Sequence, residues 1–144
     1  PLESGSTGHS MLPLHYARRW KAAGMLLLVV ALAAALLPMH WFWRTDGPPL
    51  FVNLDKWLHG IAFTLLALWF AGQYARESYW RLGVGLAAYG MLIEVMQRMV
   101  PYRTADWMDF AADLAGVAVG MAIAVAGLGG WSPRFESWLE NRGG

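Results

Sequence analysis

The chain has no cysteine, few charges and very little serine. Without cysteine there is no disulfide, no thiolate metal site and no cysteine nucleophile. Past residue 10, serine occurs only at Ser78, Ser132 and Ser137. Charged residues make up 15% of the 144, eleven basic and ten acidic, for a net charge of +1. So small a balance leaves no electrostatic footprint for nucleic acid, and no such partner is expected. Hydrophobic residues, by contrast, reach 57%, with nine tryptophans. The mean hydropathy is still only +0.35, high for a soluble domain and low for a simple membrane protein. The placement of the charges therefore decides the class.

They are clustered. Residues 1–10 are rich in Gly and Ser, precede Met11, and read as a cloning remnant. Charge is absent from Ala22 to Trp43, from Trp57 to Ala75, from Leu82 to Ile93 and from Leu114 to Pro133. A bilayer core of ~30 Å needs about 20 mostly apolar helical residues. Four spans are predicted, at about 22–43, 57–75, 81–100 and 108–129, the third with Glu94 and Gln97 inside it. A soluble four-helix bundle would show a polar face at every turn, and Met25 to Leu37 shows none. Arg18, Arg19 and Lys21 ahead of Ala33-Ala34-Ala35 also suit a signal peptide, but the apolar run continues to Trp43, longer than usual for one. The expectation is an all-α membrane protein, a four-helix bundle over residues 11–130.

Side one of this arrangement holds the N-terminus, the loop at 76–81 and the C-terminus, with seven basic residues; side two holds four. The Lys/Arg bias puts both termini in the cytoplasm. Trp41, Trp43, Trp57, Tyr102 and Trp107 fall near the outer ends, as an aromatic belt does. In the tail, residues 131–144, Ser132 and Pro133 suit the cap and first position of a helix. Trp131, Phe135, Trp138 and Leu139 share one face, with Glu136 and Glu140 elsewhere, so a short helix on the inner membrane surface is expected.

Six of the ten acidic residues lie on the outer side: Asp46, Asp55, Glu94, Asp106, Asp109 and Asp113. Asp55 and His59 are four apart and share a helix face, as a base oriented by a carboxylate would. Gly83, Ala87, Gly90, Glu94 and Gln97 form one stripe, and Asp109, Asp113, Gly116 and Gly120 another. Small residues at this spacing let membrane helices approach closely, and would equally serve a homodimer. A lipid-facing charge at mid-bilayer costs on the order of 2.5–3.5 kcal/mol, so these carboxylates should face inward. In span one only Pro38, a kink, and His40, at the interface, stand out. Ser and Cys nucleophiles are missing from the outer face, and two outer histidines cannot make a three-histidine zinc site. Acid/base chemistry by His59, Glu94 and Asp55 remains, with Lys56, Arg98 and Arg103 suited to a phosphate or carboxylate headgroup. No cofactor is expected. A divalent cation among His59, Glu94, Asp109 and Asp113 would need four ligands from three helices to converge. The alternative to a site is that these charges pair with each other, Glu94 with Arg98 and Asp55 or Asp109 with Lys56 or Arg103.

The combined motif, Asp55-Lys56-x-x-His59-x-x-x-Phe63 followed by Glu94-x-x-Gln97-x-x-x-Pro101-x-Arg103-x-x-Asp106-x-x-Asp109 and then Asp113, Gly116 and Gly120, resembles the VanZ-like family. These are small bacterial membrane proteins whose founding member is linked to resistance to the glycopeptide teicoplanin. The likeness covers close to half the chain. Where the family often has Asn, this chain has Asp113, one more negative charge in the cluster. The resemblance implies an inner-membrane protein of the cell envelope. From the residues themselves the catalytic candidates are His59, Glu94 and Asp55 and the ligand-binding candidates Lys56, Gln97, Arg98, Arg103, Asp106, Asp109 and Asp113; the expected partners are membrane lipid and a lipid-linked cell-wall precursor or glycopeptide-related ligand. Whether the site turns over a substrate is open from the residues alone. A small proton-coupled transporter and a structural module for partner membrane proteins are the other readings.

Overall fold

A computed structural model describes residues 11–38, 53–103 and 105–143. His40, Trp41, Trp43, Arg44 and Asp46, together with residues 1–10, lie outside the described residues. Among the described residues every regular element is helical: α1 (Ala17–Leu36), α2 (Leu54–Ala71), α3 (Tyr79–Arg98), α4 (Trp107–Ile123, continued by a wide turn Ala124–Leu128) and α5 (Trp131–Gly143). Two of these, α1 and α4 with its extension, are long and apolar enough to cross a membrane. The charges within α2 and α3 (Asp55 and Lys56; Arg81, Glu94 and Arg98) set those helices apart.

The helix limits are shifted from the charge-free runs. The first helix starts at Ala17, so Arg18, Arg19 and Lys21 form its opening turns. It stops at Leu36 because Leu37, which precedes Pro38, is extended (ψ 146°), the conformation that a following proline imposes. The second begins at Leu54, carrying Asp55 and Lys56 on the helix itself. Asp106 caps α4 by accepting from the Met108 N–H at 2.9 Å. The wide turn ends where the Gly129 N–H reaches the Ala124 carbonyl (2.8 Å), and Gly130 then takes φ 64°, a left-handed value that glycine adopts freely.

The helices run up and down. The first turn of α2 meets that of α4 through Lys56, while Tyr102 and Arg103, just after α3, meet the last turn of α1. At the opposite end the start of α5 meets α2, and Glu136 meets the start of α1. Packing is closest between α2 and α4. A Cβ on Gly116 would lie 2.3 Å from the Gly60 carbonyl, and one on Gly120 2.7 Å from that of Thr64. The small-residue face of α4 therefore brings the two backbones into contact. Thr64 Oγ1 locks the crossing, bonding the carbonyls of Gly60 (2.8 Å) and Gly116 (3.1 Å). Phe63, Leu66, Ala67, Leu86, Ile93 and Val117 form the core, and α1 adds Leu28, Ala31, Leu32 and Ala35.

The tail differs from its expectation. Its helix starts at Trp131, ahead of the expected cap, with Ser132 fully buried and its N–H on the Gly72 carbonyl. Glu136 is buried too, against α1, because a carboxylate there accepts from the N–H groups of His15 (2.7 Å) and Tyr16 (3.0 Å) and from Trp20 Nε1 (2.7 Å). Phe135, Trp138 and Leu139 stay exposed.

Candidate functional site

The polar side chains gather where α2 and α4 begin and where α1 and α3 end, in two tiers. The upper tier centres on Lys56. Its Nζ donates to Asp106 (2.9 Å), Asp55 (3.2 Å) and Asp109 (3.2 Å). Three acceptors match the three protons of an ammonium group, so Lys56 is saturated. Its pKa is held above the usual lysine range, chiefly by Asp106, and Lys56 in turn holds Asp106 below the usual carboxylate range.

The lower tier lies one helical turn inward. His59 Nδ1 meets Asp113 Oδ1 at 2.8 Å. The helical spacing points to Asp55 as the carboxylate orienting His59; the structure gives that place to Asp113, because α4 packs so closely on α2 that its carboxylate reaches the ring, while Asp55 turns to Lys56. Asp113 is fully buried and Glu94 is 2% exposed. Asp113 Oδ2 and Glu94 Oε1 have no hydrogen-bond partner among the described residues. Gly90 makes the room: a Cβ there would stand 2.9 Å from Asp113 Oδ2. One donor atom from each of His59, Glu94 and Asp113 lies within 4.8 Å of the others, so these are the residues placed to hold a metal. Asp109, grouped with them in the sequence, belongs to the upper tier instead.

The cationic candidates disperse. Arg98 lies over the Trp107 ring at 4.9 Å, outside the cluster, and makes no ion pair with Glu94. Arg103 Nη2 (2.7 Å) and Gln97 Nε2 (2.9 Å) both donate to the Ala35 carbonyl, and Tyr102 to that of Leu36 (3.0 Å). The last carbonyls of a helix lack partners within it, and these side chains supply them. Arg103 also keeps a buried Nε without a partner among the described residues. It lines a cavity of about 250 Å³ together with Asp55, His59 and the apolar Ala31, Ala34, Ala35, Ala62, Phe63 and Ile93.

This cavity shows what the residue pattern does not. The sequence places the site between spans two, three and four, and gives α1 only a kink and an interfacial histidine. The structure makes α1 a wall of it. The available signal is the run of small residues at Ala31, Ala34 and Ala35, spaced three and four apart along one face.

No curated protein and no solved structure matches the chain. A family model described as VanZ/LLP1 does match, over residues 7–128, beginning inside the stretch 1–10 and ending at the last residue of the wide turn. With the greater part of its length matched, including all the residues of both polar tiers, this chain belongs to the VanZ/LLP1 family.

Proposed function

We infer that the chain is a four-span protein of the bacterial cytoplasmic membrane, with both termini cytoplasmic. It binds or modifies an amphiphilic envelope precursor, a lipid or a lipid-linked peptidoglycan intermediate, at its outward-facing polar end. The observation that carries this reading is the cavity between α1, α2 and α3, lined mostly by apolar side chains together with Asp55, His59 and Arg103. A cleft of that kind suits a molecule with a hydrocarbon chain and a polar head. Arg103 is the group fitted to a phosphate or carboxylate there.

The burial pattern supports the membrane. Among the described residues as many polar or charged residues are buried as hydrophobic ones, eight of each. Met25, Leu26, Val29 and Val30 of α1, Ile61 and Leu65 of α2, and Val84 of α3 leave more than half their surface open. Outward apolar and inward polar side chains are the distribution that lipid favours, since ionisable groups in a bilayer face the bundle interior. The resemblance to a family whose founding member is linked to teicoplanin resistance makes glycopeptide susceptibility the phenotype to measure.

The transporter reading draws less support. It needs polar groups along a path through the bundle. The three toward the other end, Thr64, Gln73 and Tyr89, all bond backbone carbonyls and fasten the helical framework.

The test is to replace His59, Glu94 and Arg103 singly and measure glycopeptide susceptibility together with protein abundance. A shift toward the gene-deleted level at constant abundance is expected for each. If the gene itself alters susceptibility but none of the three variants does, the site reading fails.

A further inference from the structure

The lower tier poses an electrostatic problem that the upper tier does not. Glu94 and Asp113 are buried carboxylates, each with an oxygen lacking a hydrogen-bond partner among the described residues. Lys56, the ammonium group of the motif, is committed to Asp55, Asp106 and Asp109. Arg103 turns to the Ala35 carbonyl and Arg98 to the Trp107 ring. Buried polar atoms are ordinarily satisfied, and those that are not call for an explanation such as an ion. A bare trio of this kind would also repel the phosphate or carboxylate of an anionic headgroup arriving at Arg103.

We propose that His59, Glu94 and Asp113 form a site for one first-row divalent cation, Zn²⁺ or Mn²⁺, whose remaining coordination position faces the cavity. The donor atoms, one from each residue, lie within 4.8 Å of one another. A four-coordinate cation about 2.0–2.2 Å from each nitrogen and oxygen holds its donors about 3.4 Å apart, so binding would draw the three side chains together by about 1 Å through rotation about their χ angles. One imidazole and two carboxylates suit zinc or manganese better than the all-oxygen sets of calcium and magnesium. Three protein ligands leave the fourth position for water or an incoming ligand. His59 connects the two environments, since it belongs to the trio and to the cavity lining. Gly90 fits the same account, because any larger residue would press on Asp113 Oδ2. The part of such an ion in holding a headgroup rests on the reading in the preceding section; the cation site itself rests only on the three side chains.

The test uses the full chain, purified in detergent, stripped with EDTA and titrated calorimetrically with Zn²⁺ and with Mn²⁺ alone. One cation per chain is expected. Glu94→Gln and Asp113→Asn, both close in shape to the native residues, should each weaken binding at least tenfold, while Glu77→Gln on the opposite loop leaves it unchanged. Helical content and elution volume show that each variant is folded. Should a variant fail there, X-ray absorption of the Co²⁺-loaded native chain decides: a first shell of oxygen with one imidazole is expected, and a shell without nitrogen overturns the site. Absence of saturable binding, or binding undiminished in both variants, overturns it as well. Titration of dihexanoyl phosphatidic acid before and after loading separates the two readings. Cation binding with no phospholipid binding in either state leaves the site standing and counts against the headgroup reading; phospholipid binding that EDTA does not weaken removes the ion from that role.

Discussion

At the level of single residues, Lys56 is the most densely bonded side chain at the polar end, and what it neutralises can be measured. Its three carboxylate partners come from both sides of the α2–α4 crossing. Lys56→Met should lower the thermal midpoint in detergent, and adding Asp109→Asn should recover part of the loss, because the buried Asp109 is the partner least able to find water instead. A double-mutant cycle gives the coupling directly; purely additive losses would mean that the ion pair is idle. Its pH dependence has a definite sign. The raised pKa means that the contribution is fully present below the ordinary lysine value of 10.5 and is lost only as pH climbs through the higher folded value. The stability of the native chain and that of Lys56→Met should therefore differ by a constant amount from neutral pH to about pH 10.

Among the elements, two contacts hold helices in register. The first is the approach of α4 to α2 at Gly116, where an added methyl would strike the Gly60 carbonyl. Gly116→Ala should destabilise by about 1–3 kcal/mol through overpacking. It should also disturb His59 and Asp113, which sit on the same two helices within one turn. Denaturation in mixed micelles checks the first effect; a loss below about 0.5 kcal/mol would mean that the crossing can relax. The second is the clasp of Glu136 on the start of α1. Burial alone would raise the Glu136 pKa, but the N–H of Tyr16, the indole of Trp20 and the N–H of His15 outweigh it and hold the carboxyl below its ordinary value of 4.5. A depressed carboxylate contributes stability above the unfolded pKa and loses it as pH falls through the folded one. Acidification below about pH 4.5 should thus loosen α5 from α1 in the native chain. In Glu136→Gln the docking should be weaker at neutral pH, by about 1–3 kcal/mol, and should no longer respond to acid in that range. Hydrogen exchange along residues 131–143 reads both.

For the whole molecule the prediction is topological. In the proposed four-span arrangement seven basic residues lie on the side of the termini against four on the other, and the predicted orientation has that side in the cytoplasm. A phosphatase fused after residue 143 should be inactive and a fluorescent protein at the same point bright. The reverse pair would invert the bundle and turn the polar end inward. Cysteines introduced at Met25, Leu26 and Val84 should resist water-soluble maleimides in intact cells, since these exposed side chains face lipid in a four-span protein. Rapid labelling at all three would contradict the spanning arrangement.

The helical class, the approximate position of each helix and the family are all legible in the linear order of residues, because apolar run length and the Asp55–His59, Glu94–Arg103 and Asp106–Asp113 motifs are local properties of the chain. The gathering of ionisable residues toward one end is legible too, since the alternation of charged and uncharged stretches follows the chain as it passes up and down. Which groups meet depends on packing. Spacing along α2 favours Asp55 as the partner of His59, yet the glycines of α4 bring Asp113 closer than any neighbour on the same helix. That Arg103 and Gln97 both donate to the open Ala35 carbonyl at the end of α1 is not legible from their own positions in the chain. Glu136 reads as a solvated charge on a surface helix until the start of α1 and the residues just before it present three donors to it. In each case a hydrogen bond to a group far away in sequence outweighs what local spacing offers, because a polar group removed from water takes whichever partner the packing supplies.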